Sequence, residues 1–590
     1  MNYHPFVIPF CVGVIFLFGV LIFLSVKWIC LLSENQKKIV RKNIFSLRTI
    51  KAIWEAICEC LFHRNIFNTN PVLGYMHFSL AFGWFLLIVI GKIETIFYSG
   101  TFWDEPWLAI FFRYFENPSV IFAGKKFFNF AMDFLLAFVL SGLLLAFVKR
   151  FYSRIVGMKR TTKHSLIDKM TLTALWCIFP FRFLAESISA GIKHNGGFLT
   201  QSLGNALSFL PLENLEQPFW WIYSCALGLF FIGMPFTRYM HIFTEILLVF
   251  LRKWGVAEEK DKTGYTDIEL NACSRCGICI DVCPLNTDLN INNIQSVYFI
   301  RDARYKHLEK EITDNCLMCE RCVVACPVGI ESTKIREIYR KKINFEGKKY
   351  YSYINETQTK NAPDVIYFAG CMSHLTPNIV EAMKKIFYAV GQSFWFMDED
   401  KSICCGRPLL QQGYQKQAAD LQEKNADLIR NSNAKLLVTS CPICYQSFIK
   451  EYNLEIEILH HTQYIDRLIQ EGKLQLNKSE LKVIYHDPCE LGRGCEIYEE
   501  PRNVIETVAD LLKIEQEKEN SLCCGYNLGN TVLELDQQLE IRNNALENMT
   551  KNNPDIIITA CPMCKCAFSH GTKQKVEDIA ELIMKQLIVH

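Results

Sequence analysis

Residues 434–444, AKLLVTSCPIC, are echoed by residues 555–564, DIIITACPMC. Upstream, DVIYFAGC (364–371) and LKVIYHDPC (481–489) each place a β-branched and aromatic run before one cysteine. Between them stand Cys404-Cys405-Gly406 and Cys523-Cys524-Gly525, and corresponding cysteines are 118, 119 and 120 residues apart. Self-similarity at a fixed offset marks an internal duplication. Short apolar strands followed by helical stretches predict two parallel α/β units, over residues 360–470 and 480–590. Their cysteines then lie at strand C-terminal ends, where such sheets place their sites.

Each copy holds five cysteines: Cys371, Cys404, Cys405, Cys441 and Cys444, then Cys489, Cys523, Cys524, Cys561 and Cys564. A cubane needs four. A vicinal pair cannot easily give both sulfurs to one cubane corner, but it can bridge irons in a larger cluster. Zinc or structural thiols are the alternatives.

Residues 273–284 read CSRCGICIDVCP and residues 316–327 read CLMCERCVVACP. Both are Cys-x2-Cys-x2-Cys-x3-Cys-Pro, the bacterial two-cluster ferredoxin run. Three cysteines on a tight loop surround one face of a cubane, and the fourth reaches the other cluster. This assigns Cys273, Cys276, Cys279 and Cys326 to one [4Fe–4S] cluster, and Cys316, Cys319, Cys322 and Cys283 to a second. Zinc sites favour two separated pairs instead. The module spans 262–345, and the spacer between its runs reads as largely helical.

The chain has 590 residues, enough for several domains, and a net charge of +2, so nothing global points to nucleic acid. Of 26 cysteines, eighteen fall in these motifs. Cys495 and Cys566 read as free thiols; Cys11, Cys30, Cys58, Cys60, Cys177 and Cys225 read as apolar filler.

Residues 1–255 are different in kind. Five segments, 5–32, 72–98, 127–148, 169–190 and 219–250, are long and apolar enough to span a bilayer. The first lacks the basic start and small-residue cleavage site of a signal peptide. Loop 33–71 carries Lys37, Lys38, Arg41, Lys42, Arg48, Lys51 and Arg64; loop 149–168 carries Lys149, Arg150, Arg154, Lys159, Arg160 and Lys163. The positive-inside rule puts both loops, and everything after Trp254, in the cytoplasm. A reducing cytoplasm agrees with thiolate ligands rather than disulfides.

His77 and His241 fall at similar depth on that side, where two imidazoles can ligate one haem iron axially. Hydrogen bonds to neighbouring helices are the alternative. His4 and His194, both on the outer side but outside the spans, read as surface histidines, with a second haem pair as the alternative. Glu94, Asp133, Arg182 and Glu186 lie toward the outer ends of their helices, and intramembrane charges are costly. They read either as a quinone or proton site or as ion pairs that pack the bundle.

The fragments GYMHFSLAFGWFLLIVIGKIE and GMPFTRYMHIFTEILLVF resemble the nitrate reductase gamma-subunit type of haem b anchor. The helical spacer resembles the ferredoxin of succinate dehydrogenase and heterodisulfide reductase subunits. The duplicated set resembles the CCG domain pair of heterodisulfide reductase, a resemblance that implies a noncubane [4Fe–4S] cluster in each copy. The whole layout is similar to membrane-bound electron-transfer-flavoprotein:menaquinone oxidoreductases. It implies an inner-membrane, multi-pass oxidoreductase with cytoplasmic iron–sulfur domains. Its expected cofactors are two cubanes, two noncubane clusters and one haem b. Electrons would pass between a flavoprotein and menaquinone. The chain shows no Gly-x-Gly-x-x-Gly fingerprint after a strand, so a hydride donor would bring its own cofactor. A quinol-linked heterodisulfide reductase and a relay subunit of a larger complex remain alternatives, because shared modules do not choose a substrate.

Overall fold

The computed structural model describes residues 3–156, 158, 162, 165–344, 363–400 and 403–588. It divides into two compact units: Met1–Asp281 with Pro327–Ile330, and Val282–Cys326 with Glu331–His590. Lys159, Arg160 and Lys163 of the second basic loop lie outside the described residues.

The first unit contains α1 (Ile8–Cys30), α2 (Pro71–Ser99), α3 (Lys125–Phe151), α4 (Leu166–Lys193) and α5 (Leu212–Gly233). Each is long and apolar enough to cross a membrane. Ile15, Phe18, Ile22 and Phe23 of α1 are all more than half exposed. A continuous exposed face of this kind suits lipid rather than water. Small residues let the helices approach closely. A Cβ added at Gly13 of α1 would stand 2.8 Å from the Gly228 Cα of α5.

The expected fifth span, 219–250, is two elements. It begins earlier, at Leu212, and the apolar span ends at Phe236. Pro235 has no N–H to continue the ladder, and Thr237 is extended, at φ −119° and ψ −179°. Thr237 stands between two 3₁₀ turns, Met234–Phe236 and Arg238–Met240, and a separate helix, α6 (His241–Trp254), comes next. His241 therefore opens a new helix and does not sit inside a continuous one. Segment 33–71 is also not a plain loop. It folds into short helices, Glu34–Asn43, Leu47–Ala56 and Arg64–Thr69, with a π turn at Ile57–Leu61.

The four buried charges separate into distinct partnerships. Arg182 pairs with Glu186 at 2.9 Å, one turn apart on α4. Glu94 pairs with Arg113, which also meets Glu116; Lys125 closes the chain on Glu116 at 2.7 Å. Asp133 has a structural task. Its carboxylate accepts the Leu199 and Thr200 amides at 2.6 and 2.9 Å and the Thr200 hydroxyl at 2.9 Å. It thus caps the helix Phe198–Ala206 from a neighbouring helix. Asp133→Ala is expected to cost about 1–2 kcal/mol. Thermal unfolding in detergent would read this as a lowered midpoint with the five spans intact.

In the second unit, two four-stranded sheets carry the duplication. One holds β1 (Val365–Phe368), β2 (Phe394–Phe396), β3 (Leu436–Thr439) and β4 (Glu457–His460), in the order β2-β1-β3-β4. The other holds β5 (Lys482–His486), β6 (Asp510–Leu512), β7 (Ile556–Thr559) and β8 (Lys575–Asp578), in the order β6-β5-β7-β8. Every pairing is parallel, and β1 and β7 are buried along their full length. Sheets covered on both faces need such continuous apolar runs, which is why VIYF and IIIT stand there. Both copies contribute to the same apolar cores, with Tyr367, Val438, Tyr485 and Ile558 in one of them. Between the two ferredoxin runs, Ser296–Tyr305 and Lys310–Asp314 are helical and the residues before Ser296 are mostly not. The module ends on α7 (Ser332–Asn344).

Candidate functional site

In each sheet the chain leaves the first central strand toward one edge and returns to the other side through the second. The crevice between those two strands is a topological switch point, where open parallel sheets bind ligands. Cys371 follows β1 and Cys441 follows β3; Cys489 follows β5 and Cys561 follows β7. The Cys-Pro-x-Cys pairs enter α8 (Pro442–Lys450) and α9 (Pro562–Ser569) with Pro as first helical residue and the leading Cys at the N-cap. A helix N-terminus favours thiolate over thiol.

The first set is held by backbone contacts. Gly370 has φ +87°, and a Cβ there would lie 2.9 Å from the Cys441 Cβ and 3.0 Å from the Cys444 Sγ. Glycine therefore lets the Cys371 loop lie directly over the Cys-Pro-Ile-Cys turn. Asp398, fully buried, accepts the Ala369 and Gly370 amides at 2.8 Å each and faces His374 Nε2 at 3.2 Å. Asn425 donates to the Cys404 carbonyl at 2.8 Å, and Ser447 and Tyr452 donate to the Cys405 carbonyl at 3.1 and 3.0 Å. Hydrogen bonds from Cys404 and Cys444 pull the Cys405 thiol down, while the same Cys404–Cys405 contact pushes Cys404 up.

The second set repeats this pattern. Cys524 is pulled down by hydrogen bonds from Cys523 and Cys564, and Cys489 is pushed up by burial. Gly525 has φ +81°, as Gly406 does, and a Cβ there would strike the Gln538 carbonyl at 2.3 Å. Asp398 has no counterpart in its own register. Instead Asp487, inside the loop, takes Arg502 at 2.7 Å and the Lys518 amide at 2.8 Å. Asp398→Ala is expected to free the Cys371 loop and weaken metal retention at the first set by about 10–100-fold, the usual effect of removing an outer support. Timed iron loss to a chelator would measure it, with Asp398→Asn retaining more.

In the second unit one cavity is lined by Cys283, Cys316, Cys319 and Cys322 together, with Arg321 and Arg336 beside them. Met318 donates its amide to the Cys316 Sγ at 3.4 Å, and Ser332 Oγ lies 3.3 Å from the Cys322 Sγ. Such contacts to sulfur help set cluster potentials. Burial pushes the Cys322 thiol up to about 12. Ligation would relieve that cost by replacing the proton with iron. Cys326 also belongs to this unit. Among the described residues no three His, Cys, Asp or Glu side chains close to the spacing of one bound ion. A four-iron body needs its thiolates spread more widely.

Cys273, Cys276 and Cys279 lie in the first unit, after the helix Gly264–Ala272. Their loop is tied to the helical bundle by two residues that local pattern does not reveal. Arg275, at φ +55°, pairs with Asp168 at 2.5 Å, and its carbonyl accepts Thr162 Oγ1 at 3.1 Å. Ser165 caps α4 by accepting the Asp168 amide, while the Asp168 carboxylate accepts from Ser165 in return and also takes the Arg238 amide at 3.1 Å. Arg238 in turn holds His241, whose Nδ1 stands 2.7 Å from the Arg238 carbonyl. A carbonyl on one ring nitrogen is the usual support for a metal-ligating imidazole. His77 lies within electrostatic range of both His241 and His63.

His63 was not apparent as a site residue in the sequence. Its ring is 5.4 Å from that of His77, and both its nitrogens are buried without a hydrogen-bond partner. Burial lowers it to about 4, so it is neutral. The orphaned His63 ring beside His77, and the carbonyl that supports His241, fit a haem iron. The outer histidines do not converge this way. His4 accepts the Phe6 amide at 3.4 Å, and His194 ends α4 in a left-handed conformation.

The cysteine-rich domain model, CCG, matches residues 365–449 and 483–569, and a 4Fe-4S dicluster domain matches 269–330. Among curated proteins, the chain is similar to EtfAB:quinone oxidoreductase of Syntrophomonas wolfei, at 23% identity over 88% of each chain. It is 24% identical to one component of the dihydromethanophenazine:CoB–CoM heterodisulfide reductase of Methanosarcina barkeri, over 56% of this chain and 97% of that one. It is 22% identical to the probable iron-sulfur-binding oxidoreductase FadF of Bacillus subtilis, over 89% of this chain and 91% of that one. With two cysteine-rich CCG domains, a 4Fe-4S dicluster domain and five apolar helices long enough to span a membrane, the chain is an iron–sulfur oxidoreductase related to EtfAB:quinone oxidoreductase and to heterodisulfide reductase.

Proposed function

We propose that this chain carries electrons from a reduced flavoprotein of the electron-transfer-flavoprotein kind to menaquinone, through four iron–sulfur clusters and one haem b. The observation that carries the reading is coverage. The quinone oxidoreductase relative matches 88% of this chain, apolar helices included, while the heterodisulfide reductase component matches 56%.

Cys273, Cys276, Cys279 and Cys326 would hold one cubane, and Cys283, Cys316, Cys319 and Cys322 the other. Each five-cysteine set would hold a noncubane cluster. These groups supply one-electron redox chemistry; the chain supplies spacing, burial and hydrogen bonds to sulfur. His77 and His241 would hold the haem, with the Arg238 carbonyl orienting His241. Asp168 ties the Cys273–Cys279 loop to the same Arg238 segment, keeping that loop beside the histidines. Arg182 and Glu186, paired inside the bundle with Tyr223 nearby, are the candidates for binding a quinone head group. The two lysine- and arginine-rich segments orient the bundle in the cytoplasmic membrane with both cysteine-bearing modules in the cytoplasm. The domain limits read from the sequence, 1–255, 262–345, 360–470 and 480–590, describe this division of labour.

The test is turnover by detergent-purified protein. A menaquinone analogue should be reduced by reduced electron-transfer flavoprotein with no disulfide present. Quinone chemistry that appears only with an added disulfide–dithiol couple would overturn the reading in favour of a heterodisulfide reductase.

A further inference from the structure

The two five-cysteine sets share one fold but not one environment. In the second set, Cys523 is buried in an apolar cluster with Leu285, Ile294, Leu317 and Cys319 of the ferredoxin module. Cys283 and Cys489 pack against the same cluster. The Cys319 and Cys523 thiols lie within hydrogen-bonding reach of each other. Arg493 fastens this junction. It donates Nε to the Cys319 carbonyl at 2.6 Å and Nη1 to the Glu519 and Ser521 carbonyls at 3.0 and 2.9 Å. One guanidinium thus holds the Cys319 loop against the segment that leads into Cys523. Asn530 adds a bond to Asn315 at 3.0 Å on the other flank.

The first set has a different surrounding. The apolar clusters that hold Cys404, Cys405, Cys441 and Cys444 contain none of the ferredoxin cysteines. One of them instead joins Cys405, Cys441 and Cys444 to Cys524, Cys561 and Cys564 of the second set. Cys371 is exposed, whereas its counterpart Cys489 is partly buried against the cluster that holds Cys523. The cysteines therefore form a series: ferredoxin cavity, second set, first set, solvent.

On the reading that each five-cysteine set holds a cluster, we infer that the sets do different work. The second is an internal relay joined to the ferredoxin cavity across the Cys319–Cys523 contact, and the first, opening at Cys371, is where the flavoprotein delivers electrons. Electron tunnelling falls steeply with distance, so a sulfur-to-sulfur contact on one side and an exposed edge on the other fix the order of transfer. Per quinone, the reduced flavoprotein is oxidised by two electrons and releases its protons. The electrons pass singly through the first set, the second set and the ferredoxin cavity. The quinone gains two electrons and two protons, and the chain returns to its starting state.

The experiment is EPR across a redox titration of the full chain in detergent, with and without a water-soluble dysprosium chelate. Cys371→Ser and Cys489→Ser assign the signals, since each should remove one signal and about four irons. The signal lost in Cys371→Ser should relax several-fold faster with the chelate. The signal lost in Cys489→Ser should ignore the chelate and show magnetic coupling to a ferredoxin-type cluster. Equal chelate sensitivity, or coupling confined to the Cys371-dependent signal, would overturn the order. The absence of any such signal and of its iron in wild-type protein would instead overturn the cluster assignment. Should either variant fail to fold, the wild-type spectra suffice: coupled and chelate-sensitive signals must be different signals, and a signal showing both would contradict the inference.

Discussion

Cys524→Ser protein is expected to purify with about four fewer irons and to lose quinone reduction by more than about 100-fold. Serine keeps the volume of cysteine, so the packing around position 524 survives while a soft thiolate becomes a poor hydroxyl ligand. Cys524 carries a large effect because of where it sits. It hydrogen-bonds to Cys523 and Cys564, and it belongs to the apolar core that also holds Cys405 and Cys444. On the proposed order of transfer, loss of its set interrupts the path between flavoprotein and quinone. Removing an outer support costs about 10–100-fold in metal affinity, and removing a ligand costs more. Iron analysis and steady-state turnover check both halves. Full iron with lost turnover would mean that position 524 acts without ligating, and unchanged turnover would remove the second set from the electron path.

Arg340→Met is expected to destabilise the second unit by about 3–5 kcal/mol. Arg340 lies on α7 and is 1% exposed. Its guanidinium donates to the Thr313 and Asp314 carbonyls at 3.0 and 2.8 Å, to the Gln411 carbonyl at 2.8 Å and to the Gly529 carbonyl at 2.6 Å. Those carbonyls belong to the ferredoxin module, the first α/β copy and the second copy. One side chain therefore supplies donors to three parts of the unit, and a buried carbonyl left without a donor costs about 1–3 kcal/mol. Methionine fills much of the volume and donates nothing. The midpoint of thermal unfolding should fall by roughly 10 °C. Arg340→Lys, which keeps charge and some donors but not the planar fork, should fall between the two. A methionine variant as stable as wild type would show that the carbonyls find other donors.

The cysteine framework was legible in the sequence because its chemistry is local. Cys-x2-Cys-x2-Cys-x3-Cys-Pro states which thiols share a loop, and VIYF and IIIT state which segments are buried strands. The matching strand orders of the two sheets are what the near-constant cysteine offset implies. The five apolar helices were legible for the same reason: hydropathy is additive along a segment. What the sequence hid depends on partners far along the chain. Hydropathy ran through Pro235 into α6, although a missing N–H and an extended Thr237 break the helix there. Asp133 read either as part of a quinone or proton site or as an ion pair packing the bundle, and it caps a helix 66 residues away. Arg275 and Asp168 are 107 residues apart, and Arg340 and Gly529 are 189 apart. No local periodicity encodes such pairs. His63 stayed hidden because it precedes the apolar run of α2, and only the fold brings its ring beside His77.

Iron quantitation on anaerobically purified full-length protein tests the central claim most directly. Four clusters and one haem predict about seventeen irons per chain, about sixteen of them in clusters. About eight cluster irons, with zinc bound at the five-cysteine sets, would contradict it.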